Sequence, residues 1–244
     1  MSVNVAVVTA RHHSPGRPEK NLFELRGRPL LAYPVLAAQG SARVDRVYCS
    51  TDGEAIAAAA AEMGCEIVWR PEGVAGDVPH KVVIRHAVEE IAGRLGGLSA
   101  LGSVVVLLGN TVMVDAALIS AALAMLERER DIDGVLSAWR AQDDHPLRAL
   151  EEGPDGLVRP YGGGPRDVDS NRQSYPPALF YDQGVWAFRA GCALREDGPS
   201  PWTWMGRRCR AIVREWVTGR DVHEELDVAA AEWWLDREGI PCRR

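Results

Sequence analysis

Arg11, Arg17 and Lys20 lie close together in one stretch that also holds Ser14, Gly16, Asn21, Pro15 and Pro18. Cations gathered with free backbone N–H groups are the means of holding a polyphosphate. Gly16 keeps the backbone bare for a close approach, and the two prolines limit its freedom. The stretch follows Val3-Asn4-Val5-Ala6-Val7-Val8-Thr9-Ala10, a Val-rich run that reads as a strand buried on both faces. A loop at the carboxyl end of a first strand is where open α/β sheets bind their ligands, and Ala10 marks that end. A basic surface turn is the plain alternative. Arg70 leaves a later strand on the same side, placed for phosphate or nucleobase; a surface salt bridge of little worth is its alternative.

The elements that would carry these residues follow from periodicity. A helix is predicted over 29–40, with Pro34 tolerable only in about the first turn. Val44–Thr51 alternates and is β-branched, so it reads as a strand. Asp52 then caps a helix over Glu54–Met63, and Cys65–Arg70 is a third strand. A helix over 80–95 precedes the apolar strand Val104–Leu108, and a further helix starts near Asp115, with Asn110 and Thr111 as its possible caps. Strands follow at Gly134–Arg140, Leu179–Phe188 and Cys209–Trp216, with a terminal helix over 224–238. The β-α-β-α-β rhythm implies right-handed crossovers and an α/β fold with a doubly wound, mostly parallel sheet. Between Ala141 and Pro177 the text turns polar and rich in Gly and Pro, too long for an idle loop.

The 244 residues suffice for a sizeable core within single-domain range. Hydrophobic content of 46% and charged content of 25% mark an ordinary soluble globular protein. A net charge of −6 argues against general nucleic-acid affinity, so any basic site is local. No apolar run is long enough to span a bilayer, and the N-terminus lacks the regions of a signal peptide. Cys49, Cys65, Cys192, Cys209 and Cys242 are scattered without CxxC spacing, as expected of reduced thiols in a cytoplasmic protein. Trp202, Trp204, Trp216, Trp233 and Trp234 crowd the last fifth of the chain, where packing is the default account.

The first loop resembles that of the acylneuraminate (CMP-sugar acid) cytidylyltransferases, whose loop reads roughly Arg-Gly-Gly-Ser-Lys-Gly-Ile-Pro-x-Lys-Asn. Arg11, Ser14, Gly16, Pro18, Lys20 and Asn21 match in order; His12, His13, Pro15 and Arg17 depart. Val47-Tyr48-Cys49-Ser50-Thr51-Asp52 fits the family's Val-x-x-Ser-Thr-Asp. Arg70-Pro71-Glu72 with Ala75-Gly76-Asp77 fits its Arg-Pro-x-x-Leu-Ala-x-Asp. Asp221, Glu225, Leu226 and Asp227 fit Asp-Ile-Asp-Thr-Glu-Leu-Asp, with His223 in place of the second Asp.

The resemblance implies a single nucleotidyltransferase domain over 1–244 with a Rossmann-like nucleotidyltransferase fold. Residues 141–178 would be an inserted arm for homodimerisation and acceptor binding. It implies CTP as substrate, held by Ala10, Arg11, Ser14, Gly16, Arg17, Lys20, Asn21, Arg70 and Asp77. Catalysis would fall to Lys20, Arg11 and Asp221. Mg²⁺ would sit at Asp221, with His223 a doubtful second ligand because imidazole suits softer metals. Helix capping is the structural alternative for Asp221. Asn110, Thr111, His145, Arg172, Gln173 and Gln183 are the acceptor candidates, with solvated loop charge the alternative for Arg172, as for Arg148 and Arg166.

Gly109 stands where the sialic acid enzymes carry an acceptor-binding Gln, which points to a different acceptor and leaves space there. Together with Pro15 and the added cation Arg17, it tilts the expectation toward a small charged acceptor such as a phosphonate. A sugar acid such as a sialic acid, another nonulosonate or Kdo is the alternative. A non-catalytic nucleotide-binding homologue, or an enzyme for another base, are the remaining alternatives. Base contacts would be largely backbone groups that every sequence provides.

Overall fold

Val5 and Val7 bury into one apolar cluster while Ala6, Val8 and Ala10 bury into another, so the first strand is covered from both sides. The computed structural model describes residues 2–12, 19–162 and 171–239. Its elements run β1 (Val3–Ala10), β2 (Glu24–Leu25), β3 (Arg28–Pro29), α1 (Ala32–Gly40), β4 (Arg46–Thr51), α2 (Glu54–Glu62) and β5 (Glu66–Trp69). They continue with α3 (His80–Arg94), β6 (Leu101–Leu108), α4 (Ala116–Arg128), β7 (Gly134–Arg140), β8 (Leu150–Glu152) and β9 (Val158–Pro160). Last come β10 (Leu179–Arg189), α5 (Gly191–Arg195), β11 (Cys209–Arg214) and α6 (Glu225–Arg237).

Seven strands form one sheet in the order β11-β7-β10-β6-β1-β4-β5. All pairings are parallel except those of β10, which runs antiparallel to β6 and β7. This is the doubly wound, mostly parallel sheet expected. The chain crosses from β1 to β4 on one side and returns to β6 on the other. The carboxyl ends of β1 and β6 therefore flank the topological switch point, where such sheets open a crevice.

A third apolar cluster closes the front of that crevice. Trp234, Leu235 and Ala231 of α6 pack with Leu30, Tyr33, Val112, Met113 and Val222. This packing carries the residues just before α6 back to the first loop.

Pro34 falls in the first turn of α1, where its missing N–H is not needed. The helix starts at Ala32 rather than at residue 29, because Arg28 and Pro29 pair with β2 in a small hairpin. β6 begins three residues earlier than expected, and β11 stops at Arg214 before a turn over Trp216–Gly219. The short α5 was not foreseen. In the 141–178 stretch, β8 and β9 pair as a hairpin whose Leu150, Leu157 and Val158 are exposed.

Pairing of β10 with β7 shifts register between Tyr181 and Trp186, and buried Asp182 explains the bulge. Its carboxylate accepts from the Ser137 hydroxyl and from Gly184 N at 2.8 Å, and pairs with Arg214 at 3.3 Å. Burial pushes the Arg214 guanidinium below its ordinary value, and Asp182 opposes that shift. No helix among the described residues is long and apolar enough to cross a membrane. Cys49, Cys65, Cys192 and Cys209 are free thiols.

Candidate active site

β1 delivers Thr9 and Ala10 to the carboxyl edge of the sheet, and Arg11 follows them out. The loop is tied down at both ends. His12 N donates to Asp52 Oδ1 at 2.6 Å, and Asn21 Nδ2 donates to the Arg11 carbonyl at 3.0 Å. Asp52 Oδ2 meanwhile accepts from Gly76 N at 2.9 Å. One carboxylate thus joins the first loop to the loop after β5.

Asp52 does not cap α2: the cap position is Gly53, whose N–H donates to Thr51 Oγ1 at 3.1 Å. Burial alone would raise the Asp52 pKa. The N–H groups of Gly76 and His12, with the charge of Arg70, outweigh it, so the carboxyl is held below its usual value.

Lys20 opens a single turn, Lys20–Leu22, and is buried. Its Nζ lies 3.2 Å from His223 Nδ1, and His223 Nε2 lies 2.7 Å from Asp221 Oδ2. Burial pushes the Lys20 amine below its ordinary value, with Asp221 opposing the shift and Arg11 adding to it.

Asp221 is held by Asn110. Asn110 Nδ2 donates to Asp221 Oδ2 at 2.7 Å and to the Val222 carbonyl at 3.0 Å, and Val222 N donates to the Asn110 carbonyl at 3.0 Å. Asp227 shapes the same turn from behind: its Oδ2 accepts from His223 N at 2.8 Å and Glu224 N at 3.0 Å, and Arg220 bonds its Oδ1 at 2.7 Å. Glu224 and Asp227 form a capping box, so it is Glu224 and not Asp221 that caps α6.

These elements enclose a cleft of about 240 Å³. Arg11, Lys20, Asn21, Asp221 and His223 are among the residues that line it, as are Arg70, Gly76, Val78, His80 and Val83. Arg70 is buried and bonds Ser50 twice, Nε to Oγ at 3.0 Å and Nη2 to the carbonyl at 2.8 Å. Arg11 pairs with Asp77 at 2.6 Å, and the Asp77 side chain is 85% exposed. A pair so open to water is weak and can re-form with an incoming anion.

Beyond Asp221 and His223 lies a second cavity of about 410 Å³, walled by Trp139, Tyr181 and Trp216 and reached by Gln183 and Arg220. Gln183 Oε1 faces no hydrogen-bond partner among the described residues.

Several sequence candidates sit elsewhere. Thr111 is fully buried and donates to the Gln183 carbonyl at 2.9 Å, so it supports the cavity from below; neither it nor Asn110 caps α4, whose cap is Asp115. His145 is buried within the arm, with Nε2 2.9 Å from the Pro176 carbonyl and its ring against Tyr175. Arg172 and Gln173 lie on the turn Arg172–Ser174, and Gln173 is exposed. His145 and Gln173 line neither cavity. Arg148 pairs with Asp143 on the surface. Ser14, Gly16, Arg17 and Arg166 lie outside the described residues.

Gly109 leaves no vacant space: a Cβ there would meet Asn21 Oδ1 at 2.8 Å and Ala10 Cβ at 2.9 Å. The clamp by Asn110, the Asp52 tie, and the places of Thr9 and His80 carry no sequence signal, because each depends on strands brought together from distant positions.

Asp221 fits a hard cation as one ligand. Its Oδ1 accepts no hydrogen bond among the described residues, and Mg²⁺ is commonly held by one or two carboxylates with phosphate oxygens and water. Among the described residues, no three His, Cys, Asp or Glu side chains converge. His223 does not fit as a second ligand in this arrangement. With Lys20 donating to Nδ1, the hydrogen on Nε2 faces Asp221, and no ring nitrogen is left open.

A cationic loop at the switch point of a doubly wound sheet, faced by a carboxylate, defines a nucleotide-binding α/β protein of the nucleotidyltransferase kind. The family described as Cytidylyltransferase matches residues 5–138, more than half of the chain, and the chain belongs to that family. It is 36% identical over 85 residues to N-acylneuraminate cytidylyltransferase of Escherichia coli O18:K1:H7, covering 34% of this chain and 20% of that protein. It is 37% identical over 83 residues to CMP-N,N'-diacetyllegionaminic acid synthase of Legionella pneumophila, covering 32% of this chain and 36% of that one. The matched segments thus span well under half of both relatives.

Over its whole length the chain is 22% identical to the post-translational flagellin modification protein B of Campylobacter coli, 99% of which it covers. In fold it is similar to a CMP:2-keto-3-deoxy-manno-octonic acid synthetase solved with CTP, with a TM-score of 0.68 at 14% identity, over 97% of this chain and 100% of that one.

Proposed function

We propose that this chain is a CTP-dependent cytidylyltransferase that joins CMP to a sugar acid. A hydroxyl oxygen of the acceptor attacks the α-phosphorus of CTP, the bond to the β-phosphate oxygen breaks, and pyrophosphate leaves. Such chemistry needs positioning and charge neutralisation more than a covalent protein group. The observation that carries this reading is the convergence of Lys20 with His223, 203 positions later, and of Asp221 beside it, on one cleft at the end of β1.

In this reading Arg11 and Lys20 neutralise the triphosphate and the departing pyrophosphate. Arg70 and the loop around Gly76 receive the nucleoside. Asp221 holds Mg²⁺ with phosphate oxygens and water. Bound there, the cation draws negative charge from the phosphoryl oxygens. His223 keeps Lys20 and Asp221 in register as a bridge between them, in place of the carboxylate of the sugar-acid enzymes that the chain resembles.

The second cavity favours a sugar acid over the phosphonate expected from Arg17 and Gly109. The aromatic side chains of Trp139, Tyr181 and Trp216 on its wall suit the C–H faces of a sugar ring. A small dianion needs cations, and Arg220, the one guanidinium there among the described residues, is already bonded to Asp227, with Asp221 and Glu224 also on the wall. Pairing of chains through the 141–178 arm remains part of this proposal, consistent with the exposed Leu150, Leu157 and Val158.

The test is pyrophosphate release from CTP with Mg²⁺, using a panel of nonulosonic acids, Kdo and phosphonates. Turnover with at least one sugar acid is the expected result. Turnover with phosphonates alone would overturn the acceptor assignment. CTP binding with no release under any acceptor would leave a nucleotide-binding protein without this activity.

A further inference from the structure

His80 begins α3 and lines the cleft together with the apolar Val78 and Val83. Apolar walls of this kind suit a flat base. The ring is wedged edge-on between Trp186 and Trp204, with centroids 5.7 and 5.6 Å away, so it has little freedom to turn.

Two contacts of Thr9 bear on which nitrogen carries the proton. The single O–H of Thr9 is within reach of the Leu107 carbonyl at 3.4 Å, an oxygen that can only accept. With that hydrogen given to the carbonyl, the 3.1 Å contact between Thr9 Oγ1 and His80 Nε2 runs from the Nε2 hydrogen to the hydroxyl oxygen. That leaves Nδ1 with a bare lone pair. It has no protein partner among the described residues, and the ring borders both this cleft and a neighbouring cavity lined by Pro79, Pro201 and Trp202. Burial, with the positive charges of Arg70 and Arg11, pushes the His80 pKa down to about 4, so the ring is neutral at physiological pH.

Resting on the CTP reading above, we propose that His80 selects the base, its Nδ1 lone pair accepting a hydrogen from the exocyclic amine of cytosine. A lone pair held in place is met by an N–H of cytosine and opposed by the carbonyl oxygen that uracil carries at the same position. Discrimination of this kind arises because a polar group in the site is left unpaired by the wrong ligand.

The experiment measures dissociation constants by calorimetry for CTP, UTP and the 4-deamino analogue of CTP, zebularine triphosphate. The proteins are the wild type, His80→Phe and His80→Leu, each checked for folding by thermal melting. The wild type is expected to bind CTP at least about tenfold more tightly than either of the others. In whichever variants melt cooperatively, the three ligands are expected to bind within about threefold of one another, with CTP losing most. If the wild type shows no preference, or a folded variant keeps it, the amine is read by another group and the inference falls. If the wild type binds CTP not at all, it is the cytidylyltransferase reading that fails first.

Discussion

Replacing Asp52 by Asn keeps the shape of the side chain and removes one acceptor. Asp52 Oδ1 receives His12 N at 2.6 Å and Oδ2 receives Gly76 N at 2.9 Å. An amide can satisfy only one of these; its NH₂ must face the other N–H. A hydrogen bond to a charged group contributes about 2 kcal/mol, so the variant should lose roughly that much ordering between the first loop and the loop after β5. Both loops line the cleft, and 2 kcal/mol corresponds to about a thirtyfold weaker binding of CTP.

The assay is isothermal titration of CTP into Asp52→Asn and wild type, alongside thermal melts. Were Asp52 a simple cap of α2, Asn would cap about as well, and both Tm and affinity would stay near those of the wild type. A CTP affinity within about threefold of wild type would therefore refute the bridging role.

Lys20→Ala should lower turnover by about a hundredfold or more while circular dichroism stays native; a near-normal rate removes Lys20 from the mechanism. Gly109→Ala should weaken CTP binding and lower stability by about 1–3 kcal/mol, because the new Cβ must displace Asn21 or Ala10; unchanged melting and affinity would show that the contact yields freely. His80 titrates near 4 in the folded chain against 6.5 when unfolded, so between those values only the unfolded chain gains the proton. Its contribution is complete above pH 6.5 and is lost as pH falls toward 4, by about 3 kcal/mol in denaturant titrations. His80→Phe should flatten that dependence. Asp52 and Asp227, held below a carboxyl value of 3.8, act only at lower pH.

The strand Val3–Ala10, the cationic loop after it and the alternation of strands and helices could be read from the chain because each is a local pattern. An apolar run long enough for one strand, or a proline in a first turn, states its own conformation. The residues Arg11, Lys20, Arg70 and Asp221 were legible through motif spacing, which is again local text.

Partnerships across the fold were not. Asp52 looked like a cap because it precedes a helix, yet its carboxylate faces two loops that only sheet order β1-β4-β5 sets side by side. Gly109 read as open space because nothing in its neighbourhood announces that Asn21 and Ala10 press against it. Asn110 became the clamp of Asp221 only through packing of α6 against α1 and the segment after β6. Composition and periodicity thus determined the kind of fold and the end of the sheet where chemistry would occur. Which side chains meet there was decided by tertiary contacts between residues up to two hundred positions apart, since hydrogen bonds and close packing depend on distance in space.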